Sequence, residues 1–238
     1  MTEVFFKYSK GTIEGVYHPS SKANAPVAVV FHPDPELGAN MNNAVTYALY
    51  RCFAAANISV LRINLPGAGR SSGSPKDHEN HFLAAVAALD WLQGRNPDAS
   101  HYWVAGFSFG SYLAAQLALR RPEIENFILV APPFDKYDFS FAVPCPLPGL
   151  IVQGDKDTFV NFSNLKNVVS QWRQKNNSLI SLEIIKGADH FFSKYITALS
   201  EICIEYIDTS LAVRVVKPVR KKRRRRRRKE KDYDDSNE

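Results

Sequence analysis

Cysteine is scarce in this chain of 238 residues, which contains only Cys52, Cys145 and Cys203. The three are odd in number, lie far apart and form no C-x-x-C pair, so neither a disulfide framework nor a zinc site is expected. No apolar run reaches the roughly 18–20 residues that span a bilayer. The first residues lack the basic start and apolar core of a secretory signal. These absences predict reduced thiols, no transmembrane segment and a cytoplasmic location.

An excess of basic charge is absent from most of the chain and concentrated at one end. Residues 217–238 carry twelve Lys/Arg and five Asp/Glu, a net of +7, whereas residues 1–216 carry 18 basic and 19 acidic groups, a net of −1. The near-neutral body therefore shows no nucleic-acid footprint in its composition, although the whole chain carries +6.

The basic end is a run of ten residues, Arg220 to Lys229, followed by a mostly acidic segment, Glu230 to Glu238. Like charges without apolar residues cannot offset the entropy cost of ordering, so we expect a domain over 1–213 and a disordered tail over 214–238. Two interpretations stay open: non-specific attraction of Arg220–Lys229 to nucleic acid or an anionic surface, and a solvated tail balanced by its own acidic end.

Apolar, strand-like runs alternate with helical patterns along the body. Six such runs are Val27–Phe31, Ile58–Ile63, Tyr102–Ala105, Phe127–Val130, Pro148–Gln153 and Leu179–Ile185. Helical patterns follow at Asn43–Ala56, Asp77–Leu92, 111–121, Phe162–Gln174 and Tyr195–Leu211, and Val4–Tyr8 with Thr12–Tyr17 predicts an edge hairpin. The alternation predicts an α/β fold with a doubly wound, mostly parallel sheet flanked by helices, whose site lies at the carboxyl ends of the strands.

One turn between a strand and a helix carries a G-x-S-x-G pattern, Gly106-Phe107-Ser108-Phe109-Gly110. In this context the pattern predicts a nucleophile elbow, a strained turn that lifts the Ser108 hydroxyl above the sheet edge. A side chain at Gly106 or Gly110 would collide with neighbouring backbone. The alternative is an ordinary strand–turn–helix connection with an exposed serine.

A serine hydroxyl needs a base, and the base needs an orienting carboxylate. His190, between the last strand and the last helix, is the candidate base. His18 is expected to be structural, and His78, His81 and His101 are expected to be solvated. Asp155 and Asp157 both follow the Pro148–Gln153 strand, and we favour Asp157 as the partner, with Asp155 shaping the turn.

Two backbone N–H groups are needed to stabilise an oxyanion. The amide of Phe109, directly after the serine, is one candidate. Asp34 is the other, because Pro33 and Pro35 on either side of it have no N–H. Its carboxylate would repel a developing negative charge, so we expect the side chain to point away from the site.

Together these motifs resemble the α/β-hydrolase superfamily, in particular the small capless serine hydrolases near dienelactone hydrolases and prolyl-peptidase-like esterases. The resemblance covers residues 32–190 and rests on five motifs: His32-Pro33-x-Pro35…Gly38…Met41-Asn42-Asn43, Arg62-x-Asn64…Gly67-x-Gly69-x-Ser71, Gly106-x-Ser108-x-Gly110, Gly154-Asp155-x-Asp157 and Ala188-Asp189-His190. The chain departs from that pattern at Asp34, where such hydrolases often carry His, and at Pro66, where they often carry Arg. The resemblance implies no metal and no cofactor.

The segment Ala131–Leu147 occupies the position where lids usually enter in this superfamily, and it is too short for a cap domain. Its aromatic residues either wall an open pocket for a small-molecule acyl substrate or pack as ordinary core. The favoured function is a carboxylesterase-like serine hydrolase with Ser108, His190 and Asp157 as its triad. The alternative is a non-catalytic binding protein on this fold that uses its tail.

Overall fold

The apolar runs identified in the sequence form the central strands of the sheet. The computed structural model describes residues 1–143, 145–173 and 180–215. Its inner strands are β3 (Val27–Phe31), β4 (Ser59–Ile63), β5 (Tyr102–Phe107), β6 (Ile124–Val130) and β7 (Gly149–Gly154), and nearly every residue in them is buried. A strand covered on both faces must be apolar on both, which explains why these segments do not alternate.

Three further strands complete the two edges of the sheet. β1 (Thr2–Tyr8) and β2 (Gly11–His18) form an antiparallel hairpin, and β2 pairs antiparallel with β4. β8 (Ile180–Ile185) pairs parallel with β7 at the opposite edge. The order is β1-β2-β4-β3-β5-β6-β7-β8, with parallel pairing from β4 through β8. The predicted doubly wound, mostly parallel sheet is confirmed.

Helices cover both faces of this sheet. α1 (Ala44–Ala55) and α5 (Ile196–Val215) pack on one face, and α2 (His78–Arg95), α3 (Phe109–Arg120) and α4 (Phe162–Arg173) pack on the other. Alternate residues of β3 divide between the two cores: Val29 and Phe31 face the α2–α4 side, whereas Ala28 and Val30 face the α1–α5 side.

Helix α2 corrects one expectation. His81 was expected to be solvated, but its side chain is fully buried and its Nε2 lies 3.2 Å from the Pro66 carbonyl oxygen. Its face of α2 continues through Ala84, Ala85 and Ala88 to the core, so position 81 belongs to the buried stripe. Burial lowers the pKa of His81, although the Pro66 carbonyl partly opposes this.

Between β6 and β7 the described residues contain a single 3₁₀ turn, Ser140–Ala142, and no helix that could form a cap. The prediction of a fold without a cap domain is confirmed. None of the described helices combines the length and apolar character that crossing a membrane requires. The tail, including Arg220–Lys229, lies outside the described residues, so the division at residue 213 stays a prediction.

Candidate active site

The carboxyl ends of β5, β7 and β8 bring distant parts of the chain together. Ser108 follows β5, Asp157 follows β7 and His190 follows β8. Because these strands run parallel, their following loops emerge at the same edge of the sheet. Four segments, those after β3, β5, β7 and β8, are expected to meet at this edge, and the structure brings the last three together through their side chains, with the loop after β3 against the first turn of α3.

Ser108 occupies a sharp turn between β5 and α3. Its φ of 52° and ψ of −121° lie outside the regions that non-glycine residues favour. A Cβ at Gly106 would meet the Gly110 carbonyl, and a Cβ at Gly110 would meet the carbonyl oxygens of Phe31 and His32. The two glycines therefore allow the helix to start directly against the strand, as the elbow pattern predicts.

His190 bridges the serine and the carboxylate. Its Nε2 lies 3.2 Å from Ser108 Oγ, and its Nδ1 lies 2.7 Å from Asp157 Oδ2. An ionised carboxylate can only accept, so Nδ1 carries a proton and donates a hydrogen bond to Asp157 Oδ2. The neutral imidazole then presents its Nε2 lone pair to the Ser108 hydroxyl.

The Asp157 carboxylate is surrounded by donors. Oδ1 accepts from the Phe159 N–H at 2.7 Å and the Val160 N–H at 3.2 Å, and Oδ2 also accepts from Gln153 Nε2 at 2.7 Å. Burial by itself would raise the pKa of this carboxyl, but the hydrogen bond and electrostatic attraction of His190, with the Phe159 N–H and Gln153, hold the pKa below its usual value. Asp157 therefore stays ionised beside His190.

Asp155, the other carboxylate of this turn, has a different partner. Its Oδ1 accepts from the Gly187 N–H at 2.6 Å. This bond ties the β7–α4 loop to the β8–α5 loop and leaves the His190 ring to Asp157. The geometry agrees with the interpretation that Asp155 shapes the turn.

The amides of Asp34 and Phe109 lie on two segments that meet at the elbow. Gly110 packs against the backbone of Phe31 and His32, so the first turn of α3 adjoins the loop that contains Asp34. Within the described part of the chain, neither amide has a hydrogen-bond partner. Phe109 opens α3, where free N–H groups favour negative charge.

The Asp34 side chain is held by its own loop and by the segment after β6. Oδ1 accepts from the Glu36 N–H at 3.0 Å, and Oδ2 lies 3.3 Å from Lys136 Nζ and 3.4 Å from the Tyr137 hydroxyl. Burial would lower the pKa of Lys136, but contacts with Tyr137 and Asp34 raise it above its usual value. The negative charge at position 34 is thus paired with a cation.

The aromatic residues after β6 pack in the core and also line a cavity. Phe134 and Phe139 are buried and pack against Trp172 of α4, as core residues do. They also line a cavity of about 190 Å³ beside α4, which neither Ser108 nor His190 lines. Tyr137 lines the same cavity and also packs against Phe109, the residue after the serine.

Several side chains at this site are not predicted by the sequence patterns. Gln153, at the end of the apolar strand β7, donates to Asp157, and a lone polar residue in such a strand is a usable signal. Lys136 pairs with Asp34, and Phe159 and Phe191 pack against the His190 ring. The Lys136 and Phe159 contacts join segments that are distant in sequence, so no local pattern marks them, and Phe191 follows His190 directly in a segment whose loop conformation the pattern does not specify.

Comparisons with known proteins agree with this architecture. Residues 37–179 match the family model described as alpha/beta hydrolase fold. An uncharacterized protein of Rickettsia prowazekii is 42% identical over 213 residues, covering 88% of this chain and 90% of its own length. A candidate alpha/beta hydrolase of unknown function from Agrobacterium tumefaciens is 39% identical with a TM-score of 0.86, covering 92% of this chain and all of its own. An alpha-beta serine hydrolase homologue from Coxiella burnetii is 26% identical with a TM-score of 0.78, covering 87% and 97%. This chain therefore belongs to the alpha/beta hydrolase fold family.

Proposed function

We propose that this protein is a serine hydrolase that cleaves a carboxylic ester or a related acyl bond. The observation that carries the proposal is the hydrogen-bonded chain from Ser108 Oγ through His190 to Asp157, with contacts of 3.2 and 2.7 Å. Three side chains from three loops meet in the arrangement that serine activation requires.

In the proposed reaction Ser108 Oγ attacks the substrate carbonyl carbon while His190 Nε2 takes the hydroxyl proton. The bond to the leaving group then breaks, and His190 returns the proton to the departing oxygen. Water repeats the cycle on the acyl-enzyme and releases the acid. Asp157 keeps Nδ1 protonated and stabilises the imidazolium that forms between the two proton transfers.

The negative charge on the carbonyl oxygen would be stabilised by the amides of Asp34 and Phe109. Both lie beside the elbow, and both have N–H groups without a protein acceptor in the described structure. Lys136, paired with Asp34, offsets the carboxylate charge near that oxyanion. Such pre-oriented donors are commonly worth about 3–4 kcal/mol each in transition-state stabilisation.

The Coxiella burnetii protein, named a serine hydrolase homologue, supports the reaction class. The absence of a cap over the described part of the chain supports an accessible site and a small-molecule acyl substrate. Ser108 itself is partly exposed to solvent, as a nucleophile that meets its substrate from outside must be.

A fluorophosphonate probe tests this proposal directly. We expect it to label wild type covalently and to leave Ser108→Ala and His190→Ala unlabelled, because labelling needs an activated serine. Ser111→Ala, three residues along α3, is the matched control and should label, since its hydroxyl donates to the Ser108 carbonyl rather than to His190. Folded wild type that resists the probe, or labelling that survives Ser108→Ala, would refute the proposal.

A further inference from the structure

Two exposed phenylalanine rings flank His190. Phe159 is 64% exposed and its ring centroid lies 4.8 Å from that of His190, and Phe191 is 52% exposed at 5.2 Å. The two rings are 6.1 Å from each other. We call this pair the aromatic rim. Leaving large rings in water forgoes about 1.5–3 kcal/mol of burial each, so a paired exposure beside the proposed base requires an explanation.

The aromatic rim is held in place by the contacts that assemble the site. The Phe159 N–H donates to Asp157 Oδ1 at 2.7 Å, and Phe191 directly follows His190. The next residue, Phe192, is fully buried and its N–H donates to the Asp189 carbonyl at 3.2 Å. Both rings are therefore attached to backbone that is held by hydrogen bonds or buried neighbours. A ligand that covers them would lose little conformational entropy from this part of the protein on binding.

The leaving group of a substrate, which must lie next to His190, is the part that reaches the aromatic rim. In acyl transfer the Ser108 Oγ–C bond forms first and the bond to the leaving oxygen breaks afterwards, and the proton taken from Ser108 passes through His190 to that oxygen. The leaving oxygen must then lie within hydrogen-bond reach of Nε2. Whatever group is attached to it lies beside the imidazole, where Phe159 and Phe191 stand.

The other flank of the serine has a different character. There the Asp34 carboxylate, the Lys136 ammonium and the Tyr137 hydroxyl form a charged and polar group around the loop that carries the proposed oxyanion amide. Lys136 is 59% exposed along its side chain. The site is therefore apolar beside the proposed base and polar beside the proposed oxyanion position.

We propose that the aromatic rim binds the leaving group, and that the preferred substrates are esters whose alcohol portion is aromatic or bulky and apolar. This inference rests on the proposed hydrolase function. It adds that the alcohol side of the ester, rather than the acyl side, determines which substrates the enzyme prefers. The rings gain contact area and stacking with such an alcohol, and they exclude water from the proton transfer.

The test compares acetate esters that form the same acetyl-enzyme. Ethyl acetate and 2-phenylethyl acetate have alcohols of similar basicity, so their difference in kcat/KM reports on leaving-group binding. We expect wild type to favour the phenylethyl ester by about tenfold, and Phe159→Ala and Phe191→Ala each to reduce that preference several-fold. Phe5→Ala, an exposed phenylalanine on edge strand β1, is the matched control and should keep the wild-type preference.

A second pair, ethyl acetate and ethyl butyrate, varies the acyl side alone. Its rate ratio should not respond to Phe159→Ala. Labelling of wild type by the fluorophosphonate together with equal rates for the two alcohols would overturn the leaving-group proposal and leave the hydrolase proposal standing. A shift in the butyrate ratio instead would place the aromatic rim on the acyl side and would also overturn it. Failure of wild type to label would refute both.

Discussion

Asp157 determines what His190 can do, because every group around its two carboxylate oxygens is a donor. With four N–H contacts the carboxylate stays ionised, and its contact with Nδ1 selects one imidazole tautomer. The lowered pKa of Asp157 also means that its contribution to stability is present above the usual carboxyl pKa of 3.8 and is lost as the pH falls through the lower folded value.

Asp157→Asn tests the role of this carboxylate at the scale of one residue. The amide nitrogen of asparagine can donate to Nδ1, which favours the tautomer whose Nε2 carries a proton and cannot accept one from Ser108. We expect kcat for p-nitrophenyl acetate to fall by about 10³–10⁴-fold. Steady-state kinetics on folded variants measure the effect.

Asp155→Asn is the matched control, since it changes a carboxylate in the same turn that contacts Gly187 rather than His190. We expect its kcat to stay within about tenfold of wild type. A larger loss in Asp155→Asn than in Asp157→Asn would make Asp155 the functional partner and contradict the assignment.

At the scale of elements, the elbow depends on how closely α3 approaches β3 and β5. The positive φ of Ser108 costs on the order of 1–3 kcal/mol, which the surrounding contacts must offset. One such contact is the Ser108 N–H, which donates to the Val130 carbonyl at the end of β6. The absence of a side chain at Gly110 lets the helix backbone lie against the end of β3.

Gly110→Ala should therefore disturb the elbow. Its Cβ would meet the carbonyl oxygens of Phe31 and His32, which belong to rigid backbone. We expect a loss of about 1–3 kcal/mol in the free energy of unfolding together with loss of fluorophosphonate labelling. Urea denaturation and gel fluorescence measure the two effects.

Gly94→Ala is the control for this substitution. Gly94 lies in α2, is exposed and has open space around its Cβ position. Alanine there should raise the free energy of unfolding by up to about 1 kcal/mol and leave labelling intact. Equal stability losses at both positions would contradict the steric argument.

At the scale of the whole molecule, His32 joins the loops after two central strands. Its side chain is fully buried, its Nε2 accepts from the Leu65 N–H at 2.9 Å, and its Nδ1 lies 2.5 Å from the Pro33 carbonyl oxygen. Burial lowers the pKa of His32 to about 3, although the Pro33 carbonyl and Asp34 partly oppose this. The folded state therefore keeps this histidine neutral.

Acid should destabilise the molecule through His32. The unfolded chain takes up this proton near pH 6.5, whereas the folded chain takes it up only near pH 3. Between those values the unfolded state binds one more proton at this site, so stability falls by up to about 1.4 kcal/mol per pH unit as the pH drops. His32→Gln should be less stable at pH 7 and should lose less stability on going to pH 4. Urea unfolding at both pH values measures this, and an unchanged slope in the variant would contradict it.

Much of the fold follows from patterns that depend on neighbours in sequence. Short uninterrupted apolar runs rich in β-branched residues, such as Val27–Phe31, favour strands covered on both faces, and Asn43 and Asp77 cap the helices that they are predicted to open. His81 shows where such reasoning fails. The large apolar side chains of Phe82 and Val86 in α2 are only partly buried, whereas His81 lies on the buried stripe with Ala84 and Ala88.

The sequence by itself determined the class of fold and the order of its chemical groups, because the strand–helix alternation, the Gly106–Gly110 turn and the Asp157 and His190 loops are all local patterns. Only the tertiary structure decided which of two carboxylates meets His190, that Lys136 neutralises Asp34, and that Phe159 and Phe191 surround the imidazole. Apart from that of Phe191, the chain neighbour of His190, those contacts join loops that are brought together by strand order and sheet twist, and no spacing along the chain encodes a distance across the sheet edge.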